Sequence, residues 1–96
     1  MDERVRNLRS RSKLLTPVGF IGKAELSENV LEELRRQLKA KKLIKIKVHK
    51  AFYEGKDKKE RAQFVADQLN ADLIDQVGFM VVVAKKGYVG TDNNKN

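Results

Sequence analysis

The apolar residues of this chain change period once, between Leu38 and Leu43. Up to Leu38 they recur every three to four residues, as Val30, Leu31, Leu34 and Leu38. From Leu43 they alternate: Ile44, Ile46 and Val48 point one way, and Lys45, Lys47 and His49 the other. The first pattern buries only as one stripe of a helix, the second only as one face of a strand. A helix must therefore deliver the chain almost directly into a half-buried strand, with Lys41 and Lys42 at the joint. Such a strand needs a sheet to join, and the helix needs a face of that sheet to cover. The outcome is an α/β layer fold.

The helix is well marked. Ser27 is a good N-cap, and Leu26 and Leu31 sit at hydrophobic-staple positions. Glu28, Glu32 and Glu33 lie early and Arg35, Arg36 and Lys39 late, as the helix dipole favours. Glu32 and Arg36 have the spacing of an i,i+4 ion pair. The helix is expected to end near Ala40.

The other segments fit around this unit. Val5, Leu8 and Leu15 form the stripe of a first helix over about Glu3–Leu15, stopped by Pro17 and Gly19. Val18–Ile21 suits a short strand and Leu43–His49 a longer one. Ala51–Lys56 reads as a loop around Gly55. Asp57 with Glu60 starts a third helix whose buried stripe is Ala62, Val65, Ala66 and Leu69, closed by Asn70. Leu73–Val77 and Phe79–Ala84 are two strands hinged at Gly78. At 96 residues the chain has room for one domain. The expectation is a single two-layer α/β domain over residues 1–86, in the order α-β-α-β-α-β-β. A right-handed crossover makes the first two strands parallel, and the last two pair as an antiparallel hairpin, giving a four-stranded mixed sheet. Residues 87–96, polar with glycine and asparagine, are expected to form a disordered tail.

Charge is uneven. The formal net charge is +8. The whole excess lies in residues 1–50, since residues 51–96 carry 7 basic and 7 acidic side chains. Leu34–Lys50 alone has 8 basic residues and no acidic one. A block of this kind makes a local positive potential that attracts phosphates. As a charge run alone it is equally a solubilising surface.

Several kinds of chemistry are excluded. The chain has no cysteine, so disulfides, thiolate nucleophiles and Cys-ligated zinc are out. The single histidine removes paired-His metal sites. No apolar run approaches the roughly 20 residues of a membrane span. The charged start of the chain has no apolar stretch of a signal peptide. The expected setting is therefore the cytoplasm, away from membranes. A nucleophile needs a positioned base, and the sole imidazole, His49, lies in a row of lysines. The acids are scattered over helix faces, and Asp67, Asp72 and Asp75 read as solvated. Neither an enzyme nor a cofactor is expected.

Gly22-Lys23-Ala24-Glu25-Leu26-Ser27 joins a strand to a helix. Gly22 lets backbone approach a ligand, the helix start presents free N–H groups, and Lys23 adds charge. This can be a phosphate site or an ordinary tight turn; it is not a P-loop. The aromatic residues show no stacking pair of the RNA-recognition-motif kind. Phe64 reads as core. Phe52 and Tyr53 can either stack on a base or anchor their loop.

Taken in order, the pieces resemble a known family. They are Leu-Leu-Thr-Pro at the end of the first helix and Val18-Gly19-Phe20-Ile21-Gly22-Lys23. Leu26-Ser27-Glu28-Asn29-Val30, Lys41-Lys42-Leu43-Ile44-Lys45-Ile46-Lys47-Val48 and Ala71-Asp72-Leu73-Ile74-Asp75-Gln76-Val77-Gly78 follow. The series resembles the CRM domain (chloroplast RNA splicing and ribosome maturation) in its stand-alone YhbY-like form, over roughly residues 5–86. The resemblance implies a fold like the C-terminal domain of translation initiation factor three with an added N-terminal helix. It also implies RNA binding, with stand-alone members associated with precursors of the large ribosomal subunit. The family's GxxG loop, comparable to the backbone clamp of KH domains, reads Gly22-Lys23-Ala24-Glu25 here. Glu25 replaces the second glycine, which either weakens contact through the loop or gives the basic strand a larger share. Phe79 stands where the family commonly has a basic residue.

The expected function is that of an RNA-binding protein acting on ribosomal RNA or its precursor in large-subunit assembly; a monomer is favoured, with the oligomeric state left open. The expected surface combines Gly22, Lys23 and Ala24 of the loop with Lys45, Lys47 and His49 of the strand, extended by Lys41 and Lys42. Two other readings stay open: a DNA- or RNA-coating chromatin protein of the Alba type, and an integral ribosomal protein.

Overall fold

The computed structural model describes residues 2–22 and 26–90. Its elements are α1 (Glu3–Ser12), β1 (Gly19–Ile21), α2 (Glu28–Lys41), β2 (Leu43–Val48), α3 (Lys50–Tyr53), α4 (Lys58–Gln68), β3 (Ala71–Val77) and β4 (Met80–Lys85). The strands form one mixed sheet in the order β1-β2-β4-β3. β1 and β2 run parallel on either side of the α2 crossover. β4 is antiparallel to both β2 and β3. This is the α/β domain with a four-stranded mixed sheet that the sequence predicts, with one helical turn, α3, inside the expected loop.

The joint between α2 and β2 explains the change of period. Ser27 Oγ accepts from the Val30 N–H at 3.2 Å and starts the helix. Lys42 ends it in the left-handed region, at φ 71°, with its N–H donating to the Leu38 carbonyl at 2.8 Å. That single reversed residue turns the chain straight into β2. The expected Glu32–Arg36 pair is replaced by others. Arg36 pairs with Glu33, and Arg35 reaches Glu28 at 3.0 Å.

The main core lies between the sheet and the layer of α2 and α4. Ile44, Ile46, Val48, Val81 and Val83 face Leu31, Leu34, Leu38, Ala62, Val65 and Ala66. β1 comes so close to α2 that a Cβ on Gly19 would overlap Leu34 Cδ2. Gly19→Ala is therefore expected to lower stability by about 1–3 kcal/mol through overpacking, read from thermal unfolding. An unchanged melting temperature would mean that Leu34 repacks freely.

The opposite face is covered over one half only. There Leu8 of α1 is fully buried against Leu43, Ile74, Val82 and Ala84, with Leu15 and Tyr88 alongside. α1 is shorter than expected, ending at Ser12, where the hydroxyl donates back to the Arg9 carbonyl at 2.7 Å. Such local bonding competes with helix continuation. Pro17 disfavours helical backbone at Thr16, so Leu15 packs from the connecting segment.

α1 is tied down by its arginines. Arg4 bonds Asp72 and the Tyr88 carbonyl, both at 2.6 Å. Arg9 pairs with Asp75 at 3.4 Å. Arg11 donates to the Gly90 carbonyl. Asp72 and Asp75, expected to be solvated, are thus half-buried anchors for α1. Residues 87–90 of the expected tail lie under that helix, and residues 91–96 fall outside the described ones.

Burial opposes ionisation of Asp72. The Arg4 hydrogen bond, the Gly87 amide and the charges of Arg4 and Lys86 outweigh it and hold the carboxyl below its ordinary value of 3.8. A lowered acid pKa gives stability that is full above the unfolded value and is lost as pH falls through the folded one. In an acid titration from about pH 4 downward, NMR signals of Leu8 and Tyr88 are expected to move before those of Leu34. Asp72→Asn should abolish the step; a step that persists in this variant would assign it to another group.

Candidate nucleic-acid interface

β1 and β2 stop side by side. The His49 N–H donates to the Ile21 carbonyl at 2.8 Å, which fixes Gly22 beside the end of β2. His49 itself has left the strand. Its backbone N-caps α3, and its Nδ1 accepts from the Ala51 N–H at 3.0 Å. An imidazole accepting at Nδ1 carries its proton on Nε2. The expected third member of the basic row is therefore a helix cap, positioned by the turn it starts.

Lys45 and Lys47 occupy the outward row as expected. They lie on the face that α1 covers at its other end. Lys45 borders a cleft of about 250 Å³ whose walls include Ser12, Lys13, Asp75, Met80 and Val82. Lys47 is exposed, one strand step further on. Lys41 and Lys42 are also exposed, but at the start of β2. Six residues of strand, roughly 20 Å, separate them from Gly22. A parallel crossover puts the exit of its first strand and the entry of its second at opposite ends of the sheet. The structure thus groups Gly22, Lys47 and His49, sets Lys45 just below, and leaves Lys41 and Lys42 apart. Lys23 and Ala24 lie outside the described residues.

Three basic residues near these groups were not picked out from sequence. Lys13 ends α1 beside Lys45, on the same cleft. Lys50 and Lys58 border a second hollow of about 360 Å³, floored by Tyr53 and Phe79. Tyr53 and Phe79 stack with centroids 6.1 Å apart, and Lys58 Nζ lies 5.0 Å from the Phe79 centroid. Phe52 and Tyr53 are both buried, so they anchor their segment rather than face a ligand. Burial pushes the Tyr53 phenol up, with Gln76 partly opposing.

The fourth residue missed was Phe20. It is 54% exposed although it sits in a strand. The signal was available: Ile21 is inward, so alternation sends Phe20 outward.

Chemically, the surface offers lysine ammonium groups that hold phosphates as point charges without reading sequence. Among the described residues, no group of three or more His, Cys, Asp or Glu is placed to hold a metal ion. Among them, too, no helix is long and apolar enough to cross a membrane.

The chain is similar to several known proteins. A protein of Methanocaldococcus jannaschii, named a probable RNA-binding protein, is 41% identical over 78 residues, or 81% of this chain. The matched part is 58% of that relative's length. YqeI of Bacillus subtilis, also named a probable RNA-binding protein, is 30% identical over 84% of this chain and 82% of its own length. The solution structure of a Staphylococcus aureus protein superposes with a TM-score of 0.77 at 27% identity, covering 94% of this chain and 92% of the other. Residues 1–85 match the family model of the CRS1 / YhbY (CRM) domain. With the same order of strands and helices that the sequence resemblance implies, the chain belongs to the CRS1 / YhbY (CRM) domain family.

Proposed function

We propose that this chain binds RNA through the half of its outer sheet face that α1 leaves open, and that its target is ribosomal RNA or a precursor in large-subunit assembly. The observation that carries this reading is the pair Lys45 and Lys47. Both stand on the outward face of β2: Lys47 lies at the end nearest Gly22, and Lys45 lines the cleft that holds Lys13. The names of the archaeal and bacillar relatives support RNA as the partner. Lysines orient the RNA by its phosphates, so specificity comes from RNA shape and unpaired nucleotides.

The test is competition between a structured fragment of large-subunit ribosomal RNA and duplex DNA of matched length, over a salt series. RNA is expected to win by at least about tenfold, or roughly 1.4 kcal/mol. The log–log salt slope should be about −0.7 to −0.9 for each phosphate contacted. Equal binding to both would favour a nucleic-acid-coating role and reduce the face to a charge patch.

A further inference from the structure

The strand register draws a line across the sheet. Phe20 of β1 is paired with Lys47 of β2, Lys47 with Met80 of β4, and Met80 with Val77 of β3. Partners in neighbouring strands point to the same side. The four side chains therefore form one row on the outer face, beyond the end of α1, where Met80 and Val77 border the cleft that Ser12 and Lys13 also line. Phe20 is 54% exposed and Val77 64%. Their neighbours Ile21 and Val48 turn inward and are buried. The next row on the same side holds Lys45 beside Val82. An exposed ring on a sheet face, with lysines two residues apart along the adjoining strand, combines an apolar surface with positive charge. A protein partner would have to place a carboxylate against each lysine as well as an apolar side chain over the ring. A nucleic acid supplies a flat apolar base for the ring and a phosphate for each ammonium.

We propose that this row is a stacking platform for unpaired nucleotides. Phe20 stacks on a base, Met80 and Val77 extend the apolar floor, and Lys45 and Lys47 hold the flanking phosphates. In a duplex the base faces are covered by their neighbours, so only a loop, bulge or strand end can use the platform. The inference rests on the RNA-binding reading above and names the class of RNA it takes.

The chain has no tryptophan, so Phe20→Trp installs a single fluorescent reporter on the platform. Its emission is expected to be quenched by an unstructured oligouridylate and unaffected by duplex RNA of equal length. Phe20→Ala should lose about five- to a hundredfold in single-strand affinity with an unchanged salt slope, because no phosphate contact is removed. Quenching by duplex and single strand alike would overturn the proposal. So would emission that shifts with protein concentration alone, which would place a second copy of the chain on the row. Wild-type affinity in Phe20→Ala, alongside weakened binding when Lys45 and Lys47 are reversed, would remove the stacking role and leave the RNA-binding reading standing. If neither Phe20→Ala nor the lysine reversal changes binding, the face is wrong for both.

Discussion

Truncating Leu8 to alanine is expected to destabilise the protein by about 2–5 kcal/mol. Leu8 is fully buried at the centre of the smaller core cluster, and it is the apolar side chain by which α1 holds the sheet. The other buried residue of that helix is Ser12. Polar ties also hold the helix: the Arg4–Asp72 and Arg9–Asp75 pairs, partly open to water, and arginine bonds to the Tyr88, Ile74 and Gly90 carbonyls; such exposed pairs contribute up to about 1 kcal/mol each. Domains have only about 5–15 kcal/mol in total, so this loss is a large share. Urea unfolding measures the loss, and hydrogen exchange shows where it falls. Amides of α1 should lose protection by far more than those of α2. A change below about 1 kcal/mol would mean that the arginine tethers, rather than Leu8, dock the helix.

Reversing charge at both Lys45 and Lys47 is expected to weaken RNA binding by at least about tenfold at low salt. Two lost contacts should flatten the log–log salt slope by about 1.4 to 1.8. Folding should be spared, since Lys47 is exposed and Lys45 is only partly covered. The informative control is the same reversal at Lys41 and Lys42. Both doubles lower the formal net charge from +8 to +4, two units per residue. They act at opposite ends of β2. If position matters, the strand pair loses more affinity than the joint pair. Equal losses would mean that RNA senses total charge and that no particular face is used.

Much of the fold was legible because it is written in local periods. The helix-to-strand switch at Lys41 and Lys42, the Ser27 cap, the hairpin at Gly78 and the parallel first pair all follow from residues close in sequence. What was not legible depends on partners far apart. Asp72 and Asp75 look solvated until α1 returns to their strand, where Arg4 meets Asp72 across 68 residues and Arg9 meets the Ile74 carbonyl, next to Asp75, across 65. The half-covered outer face has the same origin. His49 fits the alternation of β2, but its imidazole bonds the Ala51 amide two residues on, and that competing bond ends the strand one residue early. For the candidate site, the outward lysines were readable from alternation. Grouping Lys41 and Lys42 with Gly22 overlooked a consequence of the parallel crossover itself. Phe20 was obscured because a three-residue strand gives alternation little room to show.

The strand order β1-β2-β4-β3 also governs how the chain gets there. The β1-α2-β2 unit and the β3-β4 hairpin each close over short stretches of sequence, so each forms with little loop entropy to overcome. They are joined at one seam, where β2 pairs with β4 in the middle of the sheet. Zipping that seam brings Ile46 against Val81 across the whole of α3, α4 and β3. Rates fall as such distant contacts come to dominate, so this docking is expected to be the slow step. Conservative truncations along the seam, such as Ile46→Val or Val81→Ala, should slow folding. If α1 docks after the sheet has formed, Leu8 substitutions should chiefly speed unfolding.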